Sequence, residues 1–130
     1  KNDVLVFTTQ SANSAKAKSL RIAGVEIVQV RSRGGHVNLR EVLRELGKRE
    51  ILSVILEAGS ALNGAMLEAD LVDKMILFYA PKILGTVTMP VARHRARPIG
   101  KTPALQNITL RRFGPDFAVE GYFHDVYGNH

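Results

Sequence analysis

Apolar residues in the first half of the chain occur in two patterns, as continuous runs and at helical spacing. The runs at residues 4–7 and 51–56 are apolar almost throughout, which predicts strands buried on both faces. Residues 25–30 alternate and are rich in β-branched side chains, which predicts another strand. Residues 15–23 and 39–46 have helical character between these strands. The alternation of strand and helix indicates an α/β domain.

The helix at residues 39–46 has the clearest predicted ends. Asn38 followed three residues later by Glu41 is typical of a capping box, and Gly47 is a stop signal. The preceding residues 31–35 predict a loop. These signals place one helix firmly between two strands.

A shorter helix is predicted at residues 61–69, and it contains an internal conflict. Asn63 and Gly64 form a dipeptide that normally marks a hairpin turn. No alternating strand pattern flanks the pair, so the prediction of a helix is kept.

The second half of the chain predicts a change to antiparallel pairing. Residues 74–80 predict a strand, and residues 85–104, rich in proline and glycine, predict irregular structure. Residues 105–113 and 117–124 predict a hairpin around the turn at residues 114–116. The expected fold is therefore α/β, a mostly parallel mixed sheet flanked by helices with a C-terminal antiparallel hairpin.

Length and charge narrow the class of protein. The 130 residues fit one domain, and 18 basic against 12 acidic residues give a net charge of +6. The densest basic cluster contains Arg93, Arg95 and Arg97. It predicts a solvated loop rather than a nucleic-acid surface, because no aromatic residue for base stacking lies between Tyr79 and Phe113.

Other site chemistries find no support in the composition. Cysteine is absent, which removes disulfides, thiolate metal ligands and cysteine nucleophiles. The four histidines lack metal-ligand spacing, and no apolar run approaches the roughly 20 residues that span a bilayer. With no signal-peptide pattern at its start, the chain is expected to be a cytoplasmic protein that holds no metal and does not enter a membrane.

Residues 57–65 are the first candidate site. They join a predicted buried strand to a helix, whose N-terminal N–H groups attract anions. Gly59 has no Cβ, so a phosphate can approach the main chain closely. Two plainer interpretations stay open at this point: Gly59 simply permits a tight turn, and Glu57 is an exposed carboxylate or the partner of a lysine.

Polar residues after two other predicted strands form the second candidate. Thr8 and Thr9 follow the first strand, and Arg31 follows the next. Ligands of open α/β sheets bind beyond the carboxyl ends of the strands, so these side chains are expected to border the same crevice. Hydroxyl and guanidinium groups suit a phosphate.

Two stretches carry a family resemblance. Residues 51–85, ILSVILEAGSALNGAMLEADLVDKMILFYAPKILG, and residues 105–123, LQNITLRRFGPDFAVEGYF, resemble the reductase domain of the bifunctional riboflavin-biosynthesis deaminase/reductase. The resemblance implies a dihydrofolate-reductase-like fold. It also implies an NADPH-dependent reduction of 5-amino-6-(5-phosphoribosylamino)uracil to the ribitylamino product.

The resemblance also assigns roles to the candidate residues. Glu57 would contact substrate. By a looser similarity to dihydrofolate reductases, Thr8, Thr9 and Arg31 would hold the adenosine 2′-phosphate. The cofactor pyrophosphate would bind along the segment Gly59, Ser60, Ala61, Leu62, Asn63, Gly64 and Ala65.

Two parts of the family pattern are missing from this chain. Reductase domains of the family begin earlier, with a segment of substrate and nicotinamide contacts, and the zinc-binding deaminase domain is also missing. Residues 1–130 are therefore expected to be part of a single reductase domain, inactive or nearly so alone, with catalytic residues unassigned. A homodimer through residues 75–79 or the final hairpin is a further expectation. The alternatives are a related diaminopyrimidine reductase of the same pathway and a non-catalytic nucleotide- or nucleic-acid-binding module.

Overall fold

A computed structural model describes residues 4–83, 85, 88–93 and 103–126, and the chain divides into two compact units, Lys1–Ile55 and Leu56–His130. The first unit contains β1 (Leu5–Thr8), α1 (Ser14–Ile22), β2 (Glu26–Gln29), β3 (Ser32–Arg33), β4 (His36–Val37) and α2 (Leu39–Gly47). The second contains α3 (Ser60–Glu68), β5 (Lys74–Tyr79), β6 (Gln106–Phe113) and β7 (Asp116–Tyr122). Across the described ranges, no helix is long and apolar enough to cross a membrane.

The first unit is built around a parallel pair of strands. β1 and β2 lie side by side with Thr8 opposite Gln29, and α1 forms the connection between them. The ladder continues one residue further, because the Val30 N–H donates to the Thr8 carbonyl at 2.8 Å. Val30 is buried, at 6% exposure, and so anchors the end of β2. The strands and helix predicted here are confirmed, but β1 is half-buried along its length instead of buried on both faces.

The segment that joins β2 to α2 differs from the predicted loop. Ser32 pairs with Val37 and Arg33 with His36, so residues 31–35 begin a small antiparallel hairpin. Gly34 and Gly35 turn the chain with φ of 59° and 81°. Two consecutive glycines allow this left-handed turn without steric strain, a signal that a prediction based on polarity alone overlooks.

The start of α2 and its end at Gly47 are both confirmed, but the glycine does not take the left-handed conformation that usually follows a helix. The Asn38 side chain accepts a hydrogen bond from the Glu41 N–H at 3.4 Å, as expected of a cap. Gly47 is the last residue of the helix, and the residue that takes the left-handed conformation is Glu50, with φ of 60°. The helix therefore ends without the glycine that usually occupies such a position.

The prediction of a strand at residues 51–56 is wrong for this structure. These residues are all described and belong to neither a helix nor a ladder. Leu52 is 98% exposed and Ile55 is 86% exposed. An apolar run reports a preference for burial, whereas a strand also requires a neighbour to pair with, and the boundary between the two units falls within this segment.

The second unit contains a three-stranded antiparallel sheet in the order β5–β7–β6. The predicted hairpin is confirmed: β6 and β7 pair around Gly114, which has φ of 59°. Asn107, with φ of 52°, lies in a bulge that shifts the register of β6. Ala118 at the centre of β7 is the most buried apolar residue described, at 2% exposure.

A stacked aromatic pair and an ionic cluster lie on opposite faces of this sheet. On one face, Tyr79 and Phe117 stack with ring centroids 5.0 Å apart. On the other, Glu120 forms ion pairs with the Lys74 ammonium and with the Arg111 guanidinium. Among the described strands only β1 and β2 pair in parallel, a smaller share than predicted because residues 51–56 add no strand.

Candidate cofactor-binding residues

The N-terminus of α3 is open to an anion. Gly59 is the N-cap, with φ of −72° and ψ of 163°, and it provides no side-chain hydrogen bond. By contrast, α1 and α2 are each capped by an asparagine side chain, that of Asn13 or Asn38. The N-cap residue of α3 therefore offers no side-chain acceptor to the first N–H groups of the helix, an arrangement in which a ligand phosphate can accept from them.

Gly59 leaves free space at this N-terminus. A Cβ built on Gly59 would meet no atom within 4 Å, and its φ is one that any residue adopts. Neither packing nor backbone conformation therefore requires glycine at this position. The side that a Cβ would occupy is available to a ligand, so the segment fits a bound phosphate.

Asn63 and Gly64 connect α3 to a neighbouring segment. The Asn63 Nδ2 donates to the Ala58 carbonyl at 3.1 Å and to the Val91 carbonyl at 2.8 Å. The Arg93 N–H donates to the Ser60 carbonyl at 2.7 Å. These bonds fix residues 91–93 on the first turns of the helix.

Close packing explains the glycine of this Asn-Gly pair. A Cβ on Gly64 would lie 1.9 Å from the Arg93 carbonyl oxygen, a distance that no side chain can accept. The helix predicted despite this dipeptide is confirmed, and the dipeptide serves packing instead of a hairpin. The contact of residues 91–93 with α3 was not predicted from the sequence. The one signal that could have indicated it is the Asn-Gly pair inside a helix, where glycine is unfavourable unless another segment packs closely against it.

The other residues predicted along α3 differ in exposure. Ser60 is buried, at 5% exposure, whereas Leu62 is 41% exposed. Ala61 and Ala65 are exposed, and so is Glu57, two residues before the cap. Glu57 therefore has the position of an exposed turn carboxylate, and its contact with substrate stays a prediction.

The first unit brings together the residues predicted to hold a 2′-phosphate. Thr8 ends β1, and its carbonyl bonds to Val30, the residue before Arg31. Thr9 follows, with its hydroxyl 2.8 Å from the Ser11 hydroxyl. Thr8, Thr9 and Arg31 thus lie together at the carboxyl ends of two parallel strands. Whether they share a site with the α3 residues of the second unit stays a prediction.

Glu41 is a partner of Arg31 that the sequence did not identify. The Arg31 N–H donates to Glu41 Oε2 at 2.8 Å, and Arg31 Nε donates to Glu41 Oε1. The pKa of the Glu41 carboxyl is lowered below its ordinary value, mainly by the hydrogen bond from the Arg31 backbone N–H and to a smaller extent by the Arg31 guanidinium. The expected capping box is therefore only half formed, since the Asn38 N–H bonds to the Arg31 carbonyl instead of to Glu41.

The basic cluster of the alternative interpretation, a nucleic-acid-binding module, is only partly described by the structure. Arg95 and Arg97 lie outside the described residues, and of that cluster only Arg93 is placed. Among the residues that the structure does place, no three histidine or carboxylate side chains are grouped to hold a metal ion.

The architecture is that of the dihydrofolate-reductase-like α/β class. It matches the solved structure of Acinetobacter baumannii RibD, form 2, with a TM-score of 0.71 and 18% identity, over 91% of this chain and 36% of that one. Form 1 of the same protein matches with a TM-score of 0.68. The predicted fold class is confirmed by these neighbours.

The chain belongs to the RibD C-terminal domain family, whose model matches residues 1–119. It is 38% identical over 87 residues to "Riboflavin biosynthesis protein RibD" of Escherichia coli, which covers 63% of this chain and 23% of that protein. A Buchnera aphidicola protein named "5-amino-6-(5-phosphoribosylamino)uracil reductase" is 41% identical over 63 residues, 48% of this chain and 27% of its own length. The chain therefore spans about a quarter of these relatives.

Proposed function

We propose that this chain is part of a reductase of riboflavin biosynthesis that converts 5-amino-6-(5-phosphoribosylamino)uracil to its ribitylamino product with NADPH. The observation that carries the proposal is the family match across residues 1–119. The name of the Buchnera relative supports the same reaction and substrate. Because the family model runs through both units, we assign both to one partial reductase domain.

The cofactor is assigned to two groups of residues. Gly59 and the first turns of α3, through Ala65, would hold the pyrophosphate, which the open N-cap supports. Thr8, Thr9 and Arg31 would hold the 2′-phosphate that distinguishes NADPH from NADH. The bound dinucleotide supplies the hydride, and the protein supplies binding and orientation. Glu57 is assigned to the substrate.

Asn63 and Gly64 have a supporting part in this assignment. Their contacts fix residues 91–93 against α3, and the same contacts hold the helix in place below its open N-terminus. We therefore assign them to the shape of the pyrophosphate site, with the main-chain N–H groups at the start of α3 as the binding groups.

The remainder of the enzyme lies in segments that this chain does not contain. The chain matches only about a quarter of the length of its relatives. This supports our proposal that substrate binding needs the rest of the reductase domain and that a deaminase domain accompanies it. A homodimer is proposed through the edge strands β5 and β6 of the second unit. A cytoplasmic location is proposed together with the reductase assignment, on the same family match.

The test is a titration of the chain with NADPH and NADH, comparing wild type with Gly59→Val. Because a Cβ at Gly59 meets no protein atom, the variant is expected to fold normally and to bind NADPH at least tenfold more weakly, by filling the phosphate space. Gly47→Val is the matched control, since Gly47 also has open space around it and lies in α2, in the other unit of the chain.

Each outcome has a definite meaning. Unchanged NADPH binding by Gly59→Val would contradict the pyrophosphate site. If the wild-type chain and the longer natural protein both fail to bind NADPH, the reductase assignment fails. Turnover by the 130-residue chain alone would contradict its description as a partial domain. Binding that weakens steeply with salt and is competed by RNA would favour the nucleic-acid alternative.

A further inference from the structure

We infer that Glu41 is a positioning residue, which fixes Arg31 for a phosphate monoester and so contributes to the selection of NADPH over NADH. The inference rests on the proposed function, because it concerns the 2′-phosphate of that cofactor. It goes beyond the assignment of Arg31, since Glu41 would act without touching the ligand.

One carboxylate fixes both the backbone and the side chain of Arg31. Glu41 Oε2 accepts from the Arg31 N–H at 2.8 Å, and Oε1 accepts from Nε of the same residue. A third bond, from the Asn38 N–H to the Arg31 carbonyl at 2.9 Å, joins the residue to the start of α2. Arg31 is therefore attached at three points to one end of one helix.

The two side chains differ sharply in exposure. The Glu41 side chain is 13% exposed, whereas that of Arg31 is 79% exposed. The carboxylate is thus held close to the protein, and the guanidinium reaches solvent. The ion pair uses Nε, and the two Nη groups, which carry four N–H donors, are the part of the fork that binds phosphate oxygens in pairs.

The position of Arg31 suits a phosphate on the adenosine ribose. Arg31 follows directly after Val30, whose N–H makes the last hydrogen bond between the two chain segments of β2 and β1. It therefore lies beside Thr8 and Thr9, at the carboxyl ends of both strands. Threonine hydroxyls are single, rotatable hydrogen-bond donors, and a guanidinium is a rigid fork of N–H donors, so together they can bind several oxygens of one phosphate. The uncharged 2′-hydroxyl of NADH would gain little binding energy from the charged guanidinium.

Two effects of Glu41 oppose each other. Its negative charge weakens the attraction of Arg31 for a phosphate, but charges that meet in water are strongly screened. Its hydrogen bonds remove freedom from a long side chain that would otherwise be ordered when the ligand binds. We expect ordering to dominate, since Arg31 is mostly in solvent and the carboxylate is bound on the Nε side.

The test measures the dissociation constants of NADPH and NADH for the full chain and three variants. Glu41→Ala is expected to weaken NADPH binding about fivefold, the equivalent of ordering one long side chain, and to leave NADH binding unchanged. Glu41→Gln keeps an acceptor for Arg31 and is expected to lose less. Glu45→Ala is the matched control: Glu45 lies on the same helix, and its carboxylate bonds to Lys48 instead.

The ratio of the two constants separates positioning from general damage to the fold. Glu41→Ala made in an Arg31→Ala background should change the ratio no further, because the two residues act through one contact. An equal loss for both cofactors, or tighter NADPH binding by both Glu41 variants, would overturn the inference. A wild-type chain that binds NADPH and NADH equally would instead refute the 2′-phosphate assignment on which the inference depends.

Discussion

Replacing Gly64 by alanine tests the packing of residues 91–93 on α3. The new Cβ would lie 1.9 Å from the Arg93 carbonyl oxygen, so that segment must retreat by roughly 1 Å to reach an allowed contact. Such a retreat breaks or weakens two hydrogen bonds, Arg93 N–H to Ser60 at 2.7 Å and Asn63 to Val91 at 2.8 Å. At about 0.5–1.5 kcal/mol each, their loss costs about 1–3 kcal/mol.

A favourable effect opposes this loss. Alanine is better than glycine in a helix interior by about 1 kcal/mol. The expected net effect of Gly64→Ala is therefore a destabilisation of about 1 kcal/mol. The same substitution at Gly47, where a Cβ meets no atom, is expected to be neutral or stabilising. Of two chemically identical substitutions, only the one at Gly64 should therefore destabilise the chain.

Urea denaturation of both variants measures the difference, with the midpoint compared at constant slope. Amide hydrogen exchange at Arg93 gives a local reading, because its N–H is protected only while it is bonded to Ser60. If Gly64→Ala is as stable as Gly47→Ala and the Arg93 amide stays protected, the reasoning is refuted, since the segment would then not lie against this face of α3.

Two further predictions concern local strain and pH. Glu50→Gly should stabilise the chain by about 0.5 kcal/mol, because Glu50 has φ of 60°, and a urea midpoint that falls would contradict this. Lys74 lowers the pKa of the Glu120 carboxyl below 4.5, and Glu120 raises the pKa of Lys74 above 10.5. Their stabilisation is therefore complete between about pH 4.5 and 10.5, and it fades as pH falls through the lowered pKa or rises through the raised one. Glu120→Gln should accordingly be less stable than wild type at pH 7, and the difference should shrink as pH falls through the lowered pKa of Glu120, as followed by thermal unfolding across pH.

The sequence predicted elements well where the signal was local. The cap at Asn38, the helix before Asp70 and the hairpin turn at Gly114 all depend on residues within a few positions of each other, and all three are present. Residues 51–56 were predicted less well, because their apolar run contains no information about which strand would pair with them.

The candidate site shows the same division. The open N-cap at Gly59 could be predicted, since it depends on the glycine and the helix that follows. The contact between Gly64 and Arg93 spans almost thirty positions, and that between Arg31 and Glu41 spans ten. Such contacts arise from the folded arrangement of the chain, so a single sequence contains the participants without showing that they meet.

The exposed segment at residues 51–56 has a consequence for the behaviour of the chain in concentrated solution. Its six residues, ILSVIL, contain no charge and no proline, and Leu52 and Ile55 lie almost fully in solvent. Backbone groups outside any ladder, beside β-branched and leucine side chains, can template pairing between molecules and seed amyloid-like stacking. Charged residues at both ends, Glu50 and Glu57, act as gatekeepers that oppose such stacking. We therefore expect replacement of either carboxylate by a neutral residue to increase aggregation of the chain at high concentration, independently of any ligand.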